Sequence, residues 1–171
     1  MRFGIKNESK ARKLFFSTTR LEHASHGRFT SFVPGLIVDD KYPCLGTSPD
    51  GVFECEQCGK FLIEIKCLYK ERNGYAKNGG VASDILIKTD SDLVMNPRHR
   101  YYAQVQGQMA IAGIFHCYLV LYSNRGIHET LVNFDPHFWN QAHGNLIKFY
   151  KGEYINTYID VVINKQQTES D

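Results

Sequence analysis

The chain has 171 residues, enough for one domain burying roughly 70% of the surface its unfolded form exposes, and 43% hydrophobic content with 11 Phe and 10 Tyr excludes general disorder. A formal charge of +2 excludes a surface that is basic throughout, while leaving room for a local basic face beside an acidic site. The best apolar run, Met109 to Tyr122, is too short for a membrane span and is broken by Gly113 and His116.

In chain order, periodicity predicts a helix from about Lys6 to Leu21, then a strand from Phe29 to Val38 that stops at Asp39-Asp40. His23 and His26 are expected to end the first helix ahead of Arg28, the other use open to them being contact with a metal or a phosphate. Val52 to Cys55 and Lys60 to Cys67 read as paired strands around the glycine-bearing tip Glu56-Gln57-Cys58-Gly59. Tyr69 to Asp92 is polar, with Asn78-Gly79-Gly80 and little periodicity beyond Ile85-Leu86-Ile87. A loop of that length is often functional.

Asn96 as N-cap and Pro97 as first helical residue open a helix to about Ala112. Tyr102, Val105, Met109 and Ala112 form its apolar stripe, and Ala103, Gly107 and Ala110 a small-residue face. Ile114 to Ser123 and Ile127 to Asn133 make a second strand pair around Asn124-Arg125-Gly126. Pro136 to Tyr150 makes a further helix that Trp139 is expected to anchor in the core, and Gln166 to Asp171 reads as a frayed tail. The expectation is a single domain over residues 1–171.

The chemistry concentrates in the first hairpin. If Glu54 or Cys55 faces Lys60, Asp50 falls opposite Glu64 or Ile65, so two carboxylates become neighbours. Glu64 and Lys66 share one face of their strand, while Ile63 and Ile65 point to the other. Close carboxylates repel unless a cation neutralises them, and magnesium or manganese suits an all-oxygen set of Asp50, Glu64 and a backbone carbonyl such as that of Ile65. Lys66 would then orient or deprotonate an attacking water, or stabilise charge developing on the phosphate. The plainer alternative is a solvated Glu64–Lys66 ion pair beside an ordinary Ser48-Pro49-Asp50-Gly51 turn.

Five cysteines, odd in number and mostly in strands, suggest reduced thiols in an intracellular compartment, host-cell cytoplasm or nucleus. Cys55-x-x-Cys58 supplies only two of the four ligands that structural zinc needs. The other two would have to come from Cys44, Cys67, Cys117 or nearby histidines, and Cys44 and Cys67 lie at the opposite end of the hairpin, so a thiol-containing turn is favoured over zinc, with an intermolecular or redox disulfide as a minor alternative. Arg98, His99 and Arg100 oppose the dipole of the helix they begin. Either a phosphate offsets that cost or the arginines pair elsewhere on a solvated surface. Lys70, Arg72 and Lys77, with Tyr69 and Tyr75 available to stack on bases, are further candidate nucleic-acid contacts.

Four segments in order, Gly4-x-x-x-Glu8-x-x-Ala11-Arg12, Ser48-Pro49-Asp50-Gly51, Glu64-Ile65-Lys66-Cys67 and Tyr101-Tyr102-Ala103-Gln104-Val105-Gln106, resemble the YqaJ-like viral recombinase or lambda exonuclease family of PD-(D/E)XK nucleases. The resemblance implies an α/β restriction-endonuclease-like core, a central mixed β-sheet flanked by helices. It implies Asp50, Glu64 and the Ile65 carbonyl as metal ligands, Lys66 serving the attacking water, and Glu8 as an outer or second-metal carboxylate. Gln104 would buttress that centre, and Ser48, Arg98, Arg100, Tyr101, Lys70 and Arg72 would meet nucleic acid.

The implied activity is a magnesium- or manganese-dependent DNA exonuclease, with two ions per site, acting on double-stranded ends in recombination, viral or mobile-element DNA processing. Homo-oligomerisation and a partner recombinase are left open. Relatives carry helical sequence before the Gly-x-x-x-Glu segment, whereas here three residues precede Gly4, and the start is read as that of an excised domain. An endonuclease with the same site is therefore the first alternative, and a non-catalytic DNA-binding or assembly module the second.

Overall fold

A computed structural model describes residues 2–69, 72–73, 84–90 and 92–168. It divides into two compact units, Met1–Phe134 and Asp135–Asp171.

The first unit is built on a mixed five-stranded sheet in the order β1-β4-β5-β8-β9, with β1 at Phe29–Phe32, β4 at Gly51–Cys55, β5 at Gly59–Cys67, β8 at His116–Ser123 and β9 at Gly126–Asn133. The β5–β8 pair is parallel and the other pairs are antiparallel. A parallel pair needs a crossover long enough to return the chain to the same end of the sheet. Helix α2, Arg100–Ala112, lies within it and packs on β5 and β8.

One sheet face packs against α1, Arg2–Glu22, whose Ala11, Phe15 and Thr19 recur at four-residue intervals and are buried. Ala11 and Phe15 share a core with Phe53, Ile63, Ile65, Val120 and Tyr122. Phe53 stacks on its cross-strand neighbour Phe61 with ring centroids 4.8 Å apart and on Phe29 at 5.5 Å. The helix begins four residues before the expected Lys6, and at Gly4 it lies beside β5, where an added Cβ would stand in ordinary contact, 3.8 Å from the Cys67 carbonyl oxygen.

Several expected elements are shorter or divided. The strand expected over Phe29–Val38 is two, because Pro34 and Gly35, the latter at φ 73°, intervene. The second piece, β2 at Ile37–Val38, pairs instead with β3, Gly46–Thr47, in a small sheet beside α2. Within the segment expected to be a loop, β6 at Leu86–Lys88 pairs antiparallel with β7 at Leu93–Met95. The strand expected from Ile114 begins at His116.

Helix α2 starts at Arg100 with His99 as N-cap, not at Pro97 with Asn96. Asn96 is committed elsewhere: its N–H donates to the Ile85 carbonyl at 2.8 Å and its amide to the Asp84 carbonyl at 2.9 Å, while its side-chain oxygen closes a turn onto the Arg98 N–H. His99 accepts the Tyr101 N–H through Nδ1 at 3.2 Å. That role needs an unprotonated nitrogen, consistent with a pKa lowered by burial and by Arg100.

The second unit contains α3, Pro136–Phe149, a π-helical turn at Tyr150–Tyr154, and α4, Ile155–Thr168. Asp135 caps α3 by accepting the Phe138 N–H at 2.9 Å, with Pro136 in the first turn. Trp139, expected in the core, is half-buried and packs beside His143, and α3 has no buried residue. Residues Gln166 to Thr168, expected to fray, continue α4. Among the described residues no helix is long and apolar enough to cross a membrane.

Candidate active site

The β4–β5 register pairs Gly51 with Ile63, which brings Asp50 level with Glu64 at the strand end. β4 starts at Gly51, and one further backbone bond ties the residue ahead of it to β5. The Asp50 backbone N–H donates to the Ile63 carbonyl at 3.0 Å, and its carboxylate takes the Ile65 N–H at 2.6 Å. Strand alternation sends Ile63 and Ile65 into the core under α1 and Glu64 to the α2 face, as the sequence pattern requires.

Glu64 is 2% exposed, and its burial is compensated by named donors. Oε1 accepts from Gln104 Nε2 at 2.7 Å and pairs with Lys66 Nζ, while Oε2 accepts from Gln108 Nε2 at 2.7 Å. Lys66 Nζ also donates to Gln104 Oε1 at 3.1 Å and lies 4.4 Å from the Tyr101 ring centroid. The ammonium is thereby held by a carboxylate, an amide and an aromatic face.

The pKa of Asp50 rises from 3.8 to about 7, mainly through burial and then through the facing Glu64, with Glu8 adding to the same effect. Glu8, on α1, is paired with Arg12 one turn later at 2.6 Å. Asp50 is thus within electrostatic reach of both Glu64 and Glu8, and all three offer hard oxygen donors. A carboxylate offers about four lone-pair positions. Glu64 meets the three donors named and Asp50 the Ile65 N–H, so both keep acceptor capacity for a divalent cation.

The structure therefore brings together Asp50, Glu64, Lys66 and Gln104, with the Ile65 backbone bonded to Asp50 and Glu8, paired with Arg12 on α1, reaching Asp50 through its charge. Gln108 joins them although only Gln104 was expected at this centre. It stands one turn after Gln104, and this spacing was the available signal. Gln106, the intervening glutamine, points elsewhere and donates to the Asn133 carbonyl at 3.0 Å.

Of the expected nucleic-acid contacts, Tyr101 is half-buried over Lys66, and Arg100 is exposed with its guanidinium 5.1 Å from the Tyr101 ring centroid. Arg98 is exposed in the turn ahead of α2, and Ser48 is exposed next to buried Pro49. Arg72 folds back on Tyr69, 4.0 Å from the ring centroid and bonded to its carbonyl at 2.8 Å. Lys70, Tyr75 and Lys77 lie outside the described residues. His23 and His26, just past the end of α1, meet Cys55 and Cys58 at the far end of the β4–β5 hairpin from Asp50.

Residues 1–114 match the sequence profile of the YqaJ-like viral recombinase domain. No match is found among curated proteins. Among solved structures, the crystal structure of LHK-Exo in complex with dAMP aligns at a TM-score of 0.66 and 23% identity, over 98% of this chain and 74% of that one. The crystal structure of an alkaline exonuclease (LHK-Exo) from Laribacter hongkongensis aligns at a TM-score of 0.62 and 20% identity over the same shares.

Proposed function

The chain belongs to the family of YqaJ-like viral recombinase domains and carries the restriction-endonuclease-like PD-(D/E)XK fold, and from that premise we propose that it is a magnesium- or manganese-dependent exonuclease acting on double-stranded DNA ends. The observation that supports this most directly is the convergence of Asp50, Glu64 and Lys66 at one end of the β4–β5 hairpin beneath Gln104 and Gln108 of α2. An isolated surface ion pair would need no buried glutamate and no amide pair to hold it.

Asp50, Glu64 and the Ile65 carbonyl would hold the divalent ion, with Glu8 available toward a second. Such an ion supplies Lewis acidity toward phosphate oxygens and neutralises the charge of the reacting group. The chain's own contribution is placement. Gln104 and Gln108 fix the Glu64 carboxylate through its two oxygens, and the Ile65 N–H fixes that of Asp50. Lys66, steadied by Gln104 and Tyr101, presents Nζ where it can orient the attacking water and hold or move its proton.

Arg98 and Arg100 at the start of α2 are positioned to meet the DNA backbone, and Tyr101 offers a ring beside the same centre. The solved relative bound to dAMP, a nucleoside monophosphate, fits a site that releases mononucleotides. Recombination or mobile-element DNA processing is the setting we infer, inside a host cell and alongside a partner recombinase.

The test is digestion of end-labelled linear duplex beside closed circular DNA, with magnesium, manganese or EDTA, using wild type, Lys66→Ala and Asp50→Asn. Metal-dependent loss of the linear substrate alone, abolished in both variants, is expected. Nicked circles would move the reading to an endonuclease. Intact DNA in every lane, from well-folded protein, would leave a DNA-binding module.

A further inference from the structure

We propose that His23, His26, Cys55 and Cys58 bind one zinc ion in a closed Cys2His2 site that ties the end of α1 to the tip of the β4–β5 hairpin. This revises the sequence-based preference for a simple thiol turn, which lacked two ligands. The fold supplies them from a segment 32 residues away.

The distances are those of a coordination shell. Nδ1 of His23 lies 3.3 Å from Cys55 Sγ and 3.5 Å from Cys58 Sγ, and Nδ1 of His26 lies 3.2 Å from both Cys58 Sγ and His23 Nδ1. All four ligand atoms are within 4.8 Å of one another. With Zn–N of about 2.0–2.1 Å and Zn–S of about 2.3 Å, a tetrahedron has edges of about 3.3 Å between nitrogens and about 3.6 Å between nitrogen and sulfur. The observed separations fall near those edges. Two imidazole nitrogens and two thiols gathered this closely, with both cysteines free of disulfides, make a ligand set suited to a borderline-soft cation.

The two halves are positioned by bonds that do not use the four ligand side chains. Past Glu22, the His23 N–H donates to Thr19 and the His26 N–H to His23, both at 3.0 Å, a turn that sets the two rings 4.9 Å apart. Gly27 follows at φ 79°, and a Cβ there would stand 2.5 Å from Glu56 Oε2. The Arg28 N–H donates to that oxygen at 2.8 Å, and the Glu56 N–H returns a bond to the Arg28 carbonyl at 3.0 Å. Glu56 sits between the two cysteines, so this clamp sets Cys55-x-x-Cys58 against His23-x-x-His26.

Four protein ligands leave no open position, which marks a structural rather than a catalytic zinc. Binding would convert both thiols to thiolates, release two protons to solvent and leave a neutral centre. The site is separate from the carboxylates. Cys55 ends the strand that Asp50 precedes, about 16 Å away at strand rise. Its effect is to hold α1, the bearer of Glu8, on the hairpin that carries Asp50 and Glu64.

The decisive measurement is metal content by mass spectrometry on untagged protein purified under reducing conditions without chelator. About one zinc per chain is expected for wild type, Cys44→Ser and Asp50→Asn, against less than about a tenth for Cys58→Ser and His26→Asn. If those variants do not fold, wild type decides: a thiol-blocking mercurial should release its zinc, and cobalt taken up in its place should show the visible absorption of a tetrahedral thiolate site. Wild type that carries no zinc and takes up neither metal overturns the proposal. So do zinc retained by folded Cys58→Ser, zinc lost from Asp50→Asn, and a Cys55–Cys58 disulfide found in the protein as isolated.

Discussion

Glu64 is the residue on which the candidate active site turns, since it is buried and held by Lys66, Gln104 and Gln108. Removing a donor from a buried carboxylate costs more than an average hydrogen bond, so Gln108→Ala should lower unfolding stability by about 1.5–3 kcal/mol. Urea denaturation in EDTA measures it, and a loss near zero would mean that Glu64 is solvated. Lys66→Ala should slow DNA cleavage by about 10²–10⁴-fold with the fold intact, as expected for a positioned proton-transfer group, which single-turnover kinetics would check. Asp50 carries a pH signature, its pKa raised from 3.8 to about 7 by burial and Glu64. Within that window the native state keeps a proton that the unfolded chain has released. Stability of the metal-free protein should therefore fall as pH rises through it and change no further above it. Asp50→Asn should flatten this dependence and raise the melting temperature in EDTA at alkaline pH. A melting series across pH that is the same in both proteins would contradict the shift.

At the scale of elements, the β4–β5 hairpin was legible because its partners adjoin in the chain. A short polar tip leaves few registers, and alternation then assigns Ile63 and Ile65 to one face and Glu64 and Lys66 to the other. The small β2–β3 and β6–β7 pairs were not legible. Each strand is two or three residues long, below the length at which a period can be read. The start of α2 was misplaced because Asn96-Pro97 is locally an excellent helix opening, and the bonds from Asn96 to Ile85 and Asp84 that override it are tertiary. Phe53, with no exposed surface and rings stacked on both sides, should cost about 3–5 kcal/mol on replacement by alanine. Equilibrium denaturation measures that loss, and one under 1 kcal/mol would place the core elsewhere.

At the scale of the molecule, the candidate site, the His–Cys cluster and the family match all fall within Met1–Phe134. We propose that this unit folds by itself, although the sequence suggested one domain throughout. A chain ended at Phe134 should unfold in a single cooperative transition that shifts upward with magnesium. Calorimetry on the truncated chain checks this. A broad, non-cooperative transition would restore the single-domain reading.

The sequence by itself determined the local chemistry: Asp50 beside Glu64, Lys66 on the face of Glu64, and the family through four ordered segments. Only the tertiary structure decided that Gln108 shares Glu64 with Gln104 while Gln106 turns away, and that His23 and His26 meet Cys55 and Cys58. The physical reason is chain separation. Hairpin neighbours are set by a turn of a few residues, whereas contacts across 32 to 44 residues depend on which faces of α1 and α2 the sheet buries, a choice that local propensity does not encode and that spacing narrows only for Gln108, one turn after Gln104.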